Sequence, residues 1–141
     1  MLTMNNVSKI YQTNSVQTHA LRDFSLTVNE GEFIAVTGPS GSGKTTFLNI
    51  AGLLEPFTSG QYTLDGVDIG GLSDNQTADL RNQKIGYIFQ GFNLIPDLNL
   101  YENVEVPLRY RGIAAKERKI RIEQCLEQVG LASRAKHLPQ Q

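Results

Sequence analysis

The residues best suited to chemistry form one run, Gly38-Pro39-Ser40-Gly41-Ser42-Gly43-Lys44-Thr45-Thr46. It fits the spacing G-x-x-x-x-G-K-[ST] without a mismatch. Glycines let the backbone curl so that successive N–H groups point at phosphate oxygens, where a side chain would block their approach. Lys44 supplies a mobile positive charge for the outer phosphates and is the candidate catalytic cation. Thr45 can offer its hydroxyl to Mg2+, and a helix opening near Gly43 turns its positive end toward the anion. Gly38, Ser40, Gly41, Ser42, Gly43, Lys44, Thr45 and Thr46 are therefore the candidate binding residues of a nucleoside triphosphate site.

A loop of this kind needs a strand before it and a helix after it. Glu32-Phe33-Ile34-Ala35-Val36-Thr37 is a short apolar run, as expected of a buried parallel strand. Lys44 to Ala51 contains neither proline nor glycine and predicts a helix, with Gly52 as its stop. A glycine-rich linker matching by chance would not require this order.

Stepping outward along the chain, Leu2 to Val7 alternates apolar and polar residues, and Phe24 to Val28 alternates more cleanly before a turn at Asn29-Glu30-Gly31. An antiparallel pair is expected, extended by Gln61 to Gly66. Ser73 with Gln76 spells a capping box, predicting a short helix from Asp74 to about Asn82. Lys84 to Phe89 reads as a second buried strand ending at Gln90. A helix is expected near Tyr101, limited by Pro107 and Gly112. Ile122, Cys125, Leu126 and Val129 recur at helical spacing, predicting a helix over Ala114–Val129 that stops at Gly130 and buries Cys125 in its stripe.

Composition narrows the classes. The chain has 141 residues, 40% hydrophobic and 19% charged, which suits one folded domain. Its net charge of −1 gives no general reason to expect a nucleic-acid partner. A single cysteine excludes an internal disulfide. No charged-then-apolar leader opens the chain and no apolar run is long enough to span a bilayer, so a cytoplasmic protein is expected. His19 and His137 have no ligand-type neighbours and read as structural or exposed. Between Arg109 and Arg121 six basic residues stand against one acid. That run reads as a solvated helix face, or as one suited to an anionic surface.

Further stretches resemble ABC-transporter ATP-binding subunits, over essentially the whole chain. They are Val7-Ser8-Lys9-Ile10-Tyr11, Gly52-Leu53-Leu54-Glu55-Pro56 with Ser59-Gly60, Ile85-Gly86-Tyr87-Ile88-Phe89-Gln90, Phe92-Asn93-Leu94-Ile95-Pro96 and Tyr101-Glu102-Asn103-Val104. The match is to the N-terminal portion of such a subunit, and Glu102 to Leu108 is most similar to the lipoprotein-release and macrolide-export type. The implied fold is α/β: a partial P-loop NTPase (RecA-like) core with an N-terminal antiparallel β subdomain over residues 1–90, and the start of an α-helical subdomain over 91–141.

The resemblance also implies roles. Tyr11, which alone would read equally as an aromatic packing at a strand end, matches the residue that stacks on adenine. Gln90, by spacing only a polar loop residue, matches the glutamine that reaches Mg2+ and the attacking water. ATP and Mg2+ are the implied cofactors. A second ATP-binding subunit and integral membrane subunits are the implied partners, with no nucleic acid, at the cytoplasmic face of the inner membrane. Such ATPases hydrolyse ATP between two subunits, against a Leu-Ser-Gly-Gly-Gln signature; Pro139-Gln140-Gln141 is similar to its lead-in. The acidic strand end, the water-polarising glutamate and the histidine switch would lie further on, as would strands between those of Ile34 and Ile85. The expectation is an ATPase as a full-length protein and a catalytically incomplete segment here, or a non-hydrolysing regulatory fragment. A soluble P-loop kinase or a DNA-repair ATPase fits the residues after Gln90 poorly.

Overall fold

Met4 and Val7 are three residues apart, a spacing that strict alternation would put on opposite faces of a strand, yet both are fully buried. The computed structural model, which describes Met1–Gln141, shows how. Pairing slips between Met4 and Val7, and Asn6 turns left-handed with φ 49°, its N–H donating to Ser25 Oγ at 2.9 Å. This bulge resets the phase of β1 (Leu2–Gln12) and returns Val7 to the core face.

The chain divides into two compact units, Met1–Arg81 and Asn82–Gln141. In the first, β1 pairs antiparallel with β2 (Gln17–Val28) on one side and β3 (Ser59–Leu64) on the other, and β3 pairs with the short β4 (Val67–Asp68). The order is β2-β1-β3-β4. Helix α1 (Lys44–Ala51) buries Phe47 and Ile50, and the Phe47 ring lies 4.9 Å from that of Phe24 on β2. With Met4, Val7, Leu21, Tyr62, Leu64 and Leu53 they form this unit's core. Helix α2 (Asp74–Lys84) opens as the capping box requires: Ser73 N–H donates to Gln76 Oε1 at 2.9 Å and Gln76 N–H to Ser73 Oγ at 3.4 Å.

The second unit holds α3 (Leu100–Tyr110), α4 (Ala115–Gln128) and a 3-10 turn at Ala132–Arg134. Asn99 and Glu102 close the N-terminus of α3 reciprocally, at 2.9 and 2.8 Å. The carbonyls of His137 and Ala135 accept from the N–H groups of Leu100 and Tyr101. Ile122 and Leu126 of α4 are buried.

Several expectations fail for identifiable reasons. Glu32–Thr37 and Ile85–Phe89 form no strand, and Lys84 ends α2 instead. Phe33 is 95% exposed and Ile88 97%. A buried parallel strand exists only where neighbouring backbones supply its ladder, and the four-stranded sheet here is antiparallel and pairs with neither run. Pro107 lies inside α3 instead of limiting it. It removes only its own N–H, and the ladder resumes when Arg111 N–H donates to the Pro107 carbonyl at 3.2 Å. Cys125 and Val129 are exposed, so the buried stripe of α4 is narrower than its sequence suggests. Strands β1 and β2 outrun the apolar alternation that marked them, which places Tyr11 within β1 and not beyond it.

Candidate functional site

The loop before α1 takes the shape its glycines permit. Gly38, Gly41 and Gly43 adopt φ of 154°, 78° and 87°. At Gly43 the need is steric as well: a Cβ there would sit 2.4 Å from the Ala20 carbonyl oxygen on β2. The loop is therefore seated against the sheet at the point where the helix starts.

Helix α1 spans Lys44–Ala51, as its sequence predicts, with Gly43 as N-cap and Gly52 as C-cap. No side chain caps its N-terminus and no acid lies in its first turn. By contrast, α2 and α3 both close their first turns with capping boxes. The leading N–H groups of α1 thus face outward from a curled glycine loop, with the helix dipole behind them. Lys44 folds back over this loop, and its Nζ donates to the carbonyls of Gly38 at 2.9 Å and Pro39 at 2.6 Å, with Ser42 Oγ at 3.5 Å. A flexible cation resting on loop carbonyls, beside a helix N-terminus that no side chain caps, suits a polyanionic phosphate chain.

Thr45 is exposed at the first turn, and Thr46 is half-buried beside it. Tyr11, 40% exposed, comes to the same helix from β1. Its hydroxyl addresses the Glu55 carboxylate, which with burial pushes the phenol above its ordinary value, while a hydrogen bond with Thr46 pulls the other way. Burial opposes ionisation of Glu55, yet hydrogen bonds from Tyr11 and Lys9, with Asn49 adding to them, hold its carboxyl below the usual carboxylate range. Lys9 Nζ lies 3.1 Å from Glu55 Oε1, 2.7 Å from the Pro56 carbonyl and 5.1 Å from the Tyr11 ring centroid.

Tyr11, Ser40, Ser42, Thr45, Thr46, Lys44 and the loop glycines all belong to the first unit. Gln90 belongs to the second, at an exposed bend after the irregular segment 85–89. No cluster of His, Cys, Asp or Glu forms a ready-made metal site, and the side-chain oxygen that the first turn of α1 leaves exposed is the Thr45 hydroxyl. Lys9 and Glu55 carried no predicted role. The signal available was Lys9 standing two residues before Tyr11, on the same face of a strand. The basic run from Arg109 to Arg121 is laced with ion pairs, Arg109 and Arg118 to Glu105, Lys119 to Glu123 and Arg121 to Glu117, as a solvated helix face would be. His19 and His137 are exposed, and no helix is long and apolar enough to cross a membrane.

Known proteins share this arrangement. The family model described as ABC transporter matches residues 21–141. YknY of Bacillus subtilis, an ABC transporter ATP-binding protein, is 47% identical over 139 residues, 99% of this chain and 60% of that protein. MacB of Neisseria gonorrhoeae, a macrolide export ATP-binding/permease protein, is 36% identical over 139 residues, 99% of this chain and 22% of that protein. A solved dimeric structure of the ATP-binding cassette MJ0796 of Methanocaldococcus jannaschii, in a post-hydrolysis state bound to ADP and Pi, superposes with a TM-score of 0.91 at 40% identity. It is covered to 62% of its length by 100% of this chain. The chain thus spans about three fifths of the length of YknY and MJ0796, and its fold class is the α/β P-loop one that the resemblance implied. A family match from Leu21 to Gln141, together with a phosphate loop of this geometry, shows that the chain belongs to the ABC transporter ATP-binding family.

Proposed function

We propose that the chain carries the nucleotide-binding half of a composite ATPase site, in a subunit that couples ATP binding and hydrolysis to movement of a substrate by a membrane partner. The observation that carries this is the uncapped N-terminus of α1, opening from a left-handed glycine loop under the Lys44 ammonium. Lys44 and the loop N–H groups, with Ser40 and Ser42, would hold the phosphates, and Tyr11 would offer its ring to the adenine. Mg2+ would neutralise phosphate charge, held by Thr45 and Gln90 together with phosphate oxygens.

Residues 1–90 would serve the nucleotide and residues 91–141 would begin the helical part that faces the membrane subunits. The dimeric MJ0796 cassette bound to ADP and Pi supports a dimer that turns over ATP. Relatives such as MacB, named as combined ATP-binding and permease proteins, support a membrane partner and a place on the cytoplasmic face of the inner membrane. Within the family, macrolide export or lipoprotein release is the finer reading. The loop supplies phosphate binding and charge neutralisation, while catalysis also needs a positioned water. We therefore assign turnover to the whole protein and binding to this chain.

Calorimetry with Mg2+ and ATP tests the site. Lys44→Ala is expected to weaken binding by about 10- to 100-fold, the loss of a charged hydrogen-bonding group. Unchanged affinity in that variant would remove the assignment. Steady phosphate release by residues 1–141 alone would overturn the division between binding and turnover.

A further inference from the structure

Lys9 and Glu55 are remote in sequence and meet beside the ring to which the proposed function gives the adenine. Glu55 follows the C-terminal end of α1, and Lys9 precedes Tyr11 by two residues on β1. Their side chains are 12% and 20% exposed, well covered for a charged pair at the edge of a site. Lys9 Nζ is tied to Glu55 Oε1 at 3.1 Å and to the Pro56 carbonyl at 2.7 Å, and from there it lies 5.1 Å from the Tyr11 ring centroid.

We propose that Lys9 and Glu55 are positioning residues that fix the Tyr11 ring as a one-sided platform for the base of a nucleotide, and so act on base recognition separately from phosphate binding. This rests on the reading of Tyr11 given above. The ammonium occupies one face of the ring through a cation–π contact, which leaves the other for stacking. The Tyr11 hydroxyl, directed at Glu55 and at Thr46 in the first turn of α1, holds the far end of the ring. The ring that meets the base and the helix that meets the phosphates are in this way joined by side chains. A tyrosine already held in its bound rotamer loses less freedom when a base stacks on it.

The test compares ATP with inorganic tripolyphosphate, which has phosphates and no base, by calorimetry on the full chain. Glu55→Gln and Lys9→Met are each expected to lower ATP affinity by about fivefold, the cost of ordering one side chain, with tripolyphosphate affinity unchanged. Lys9→Arg, which keeps a cation over the ring, is expected to retain the wild-type ratio. Tyr11→Ala should remove the preference for ATP, and adding Glu55→Gln to it should change nothing further. An unchanged ratio in both Glu55→Gln and Lys9→Met, while Tyr11→Ala loses the preference, overturns the positioning role and leaves the Tyr11 reading standing. Equal weakening of both ligands would also overturn it, as the mark of a purely structural pair. A preference surviving Tyr11→Ala refutes the adenine reading itself and the positioning role with it.

Discussion

Tyr62 donates its hydroxyl to the carbonyl oxygen of Ala51 at 2.7 Å, so that β3 caps the last residue of the phosphate-loop helix. Carbonyls in the last turn of a helix have no partner within it, and the C-terminal end of α1 lies against the core. A fully buried side chain from the middle of the sheet supplies the missing donor. Burial pushes the Tyr62 phenol from its ordinary 10.0 up to about 12, so it stays a donor across the physiological range.

Tyr62→Phe keeps the ring and removes the bond, which is expected to lower unfolding free energy by about 1–2 kcal/mol. Urea unfolding measures it, and an unchanged midpoint would mean that Ala51 finds another donor. The same group gives an alkaline signature. Because its folded pKa is raised, its stabilisation is complete below 10 and is lost as pH rises through about 12. The Phe variant should lack that component of the alkaline decline.

Local chemistry was legible in the sequence, as was the antiparallel pairing of β1 with β2 and its extension by β3, whereas the want of partners for the two apolar runs was not. Helix α1 follows from a phosphate loop ending at Gly43 and a breaker at Gly52, and the start of α2 follows from Ser73 and Gln76, because caps act within a few residues. Phe33-Ile34-Ala35-Val36 looks like a buried strand for the same local reason, yet a strand is a property of two backbones. In the site, Lys44 and the glycines announce themselves by spacing. The approach of Glu55 to Lys9 and Tyr11 depends on how α1 packs on β1 and β2, which no window of sequence contains.

Glu105 should make the second unit sensitive to acid. Its Oε2 accepts from Arg109 Nε and its Oε1 from Arg118 Nε, each at 2.9 Å, which ties α3 to α4. The two guanidiniums hold its carboxyl below the ordinary 4.5, against a smaller upward push from burial. A depressed folded pKa means stabilisation present above 4.5 and lost as pH falls through the folded value. Glu105→Gln is expected to melt at a lower temperature at neutral pH, with the gap to wild type closing on acidification. A gap constant with pH would show that packing, and not charge, joins the two helices.

Gly43 and Gly41 offer a graded test of the loop. Both are left-handed, so alanine at either is strained by about 1–2 kcal/mol. Only at Gly43 would the new methyl also meet backbone, 2.4 Å from the Ala20 carbonyl oxygen, whereas at Gly41 nothing lies within 4 Å. Gly43→Ala is expected to lower both stability and tripolyphosphate affinity more than Gly41→Ala does. Equal effects would show that the loop is not seated on β2.

The stripe of α4 separates a buried position from an exposed one a turn apart. Ile122 is fully buried, and Ile122→Ala is expected to cost about 2–5 kcal/mol through lost contacts and the cavity left behind. Cys125, at helical spacing from it, is exposed, so Cys125→Ala should stay within about 0.5 kcal/mol of wild type. The native thiol should also react with a thiol reagent at close to the rate of the unfolded chain. Slow labelling would place the thiol in the core after all. Fast labelling together with a large Ile122→Ala effect fixes the rotation of α4: the helix turns Ile122 and Leu126 inward and leaves Cys125 on the face open to solvent.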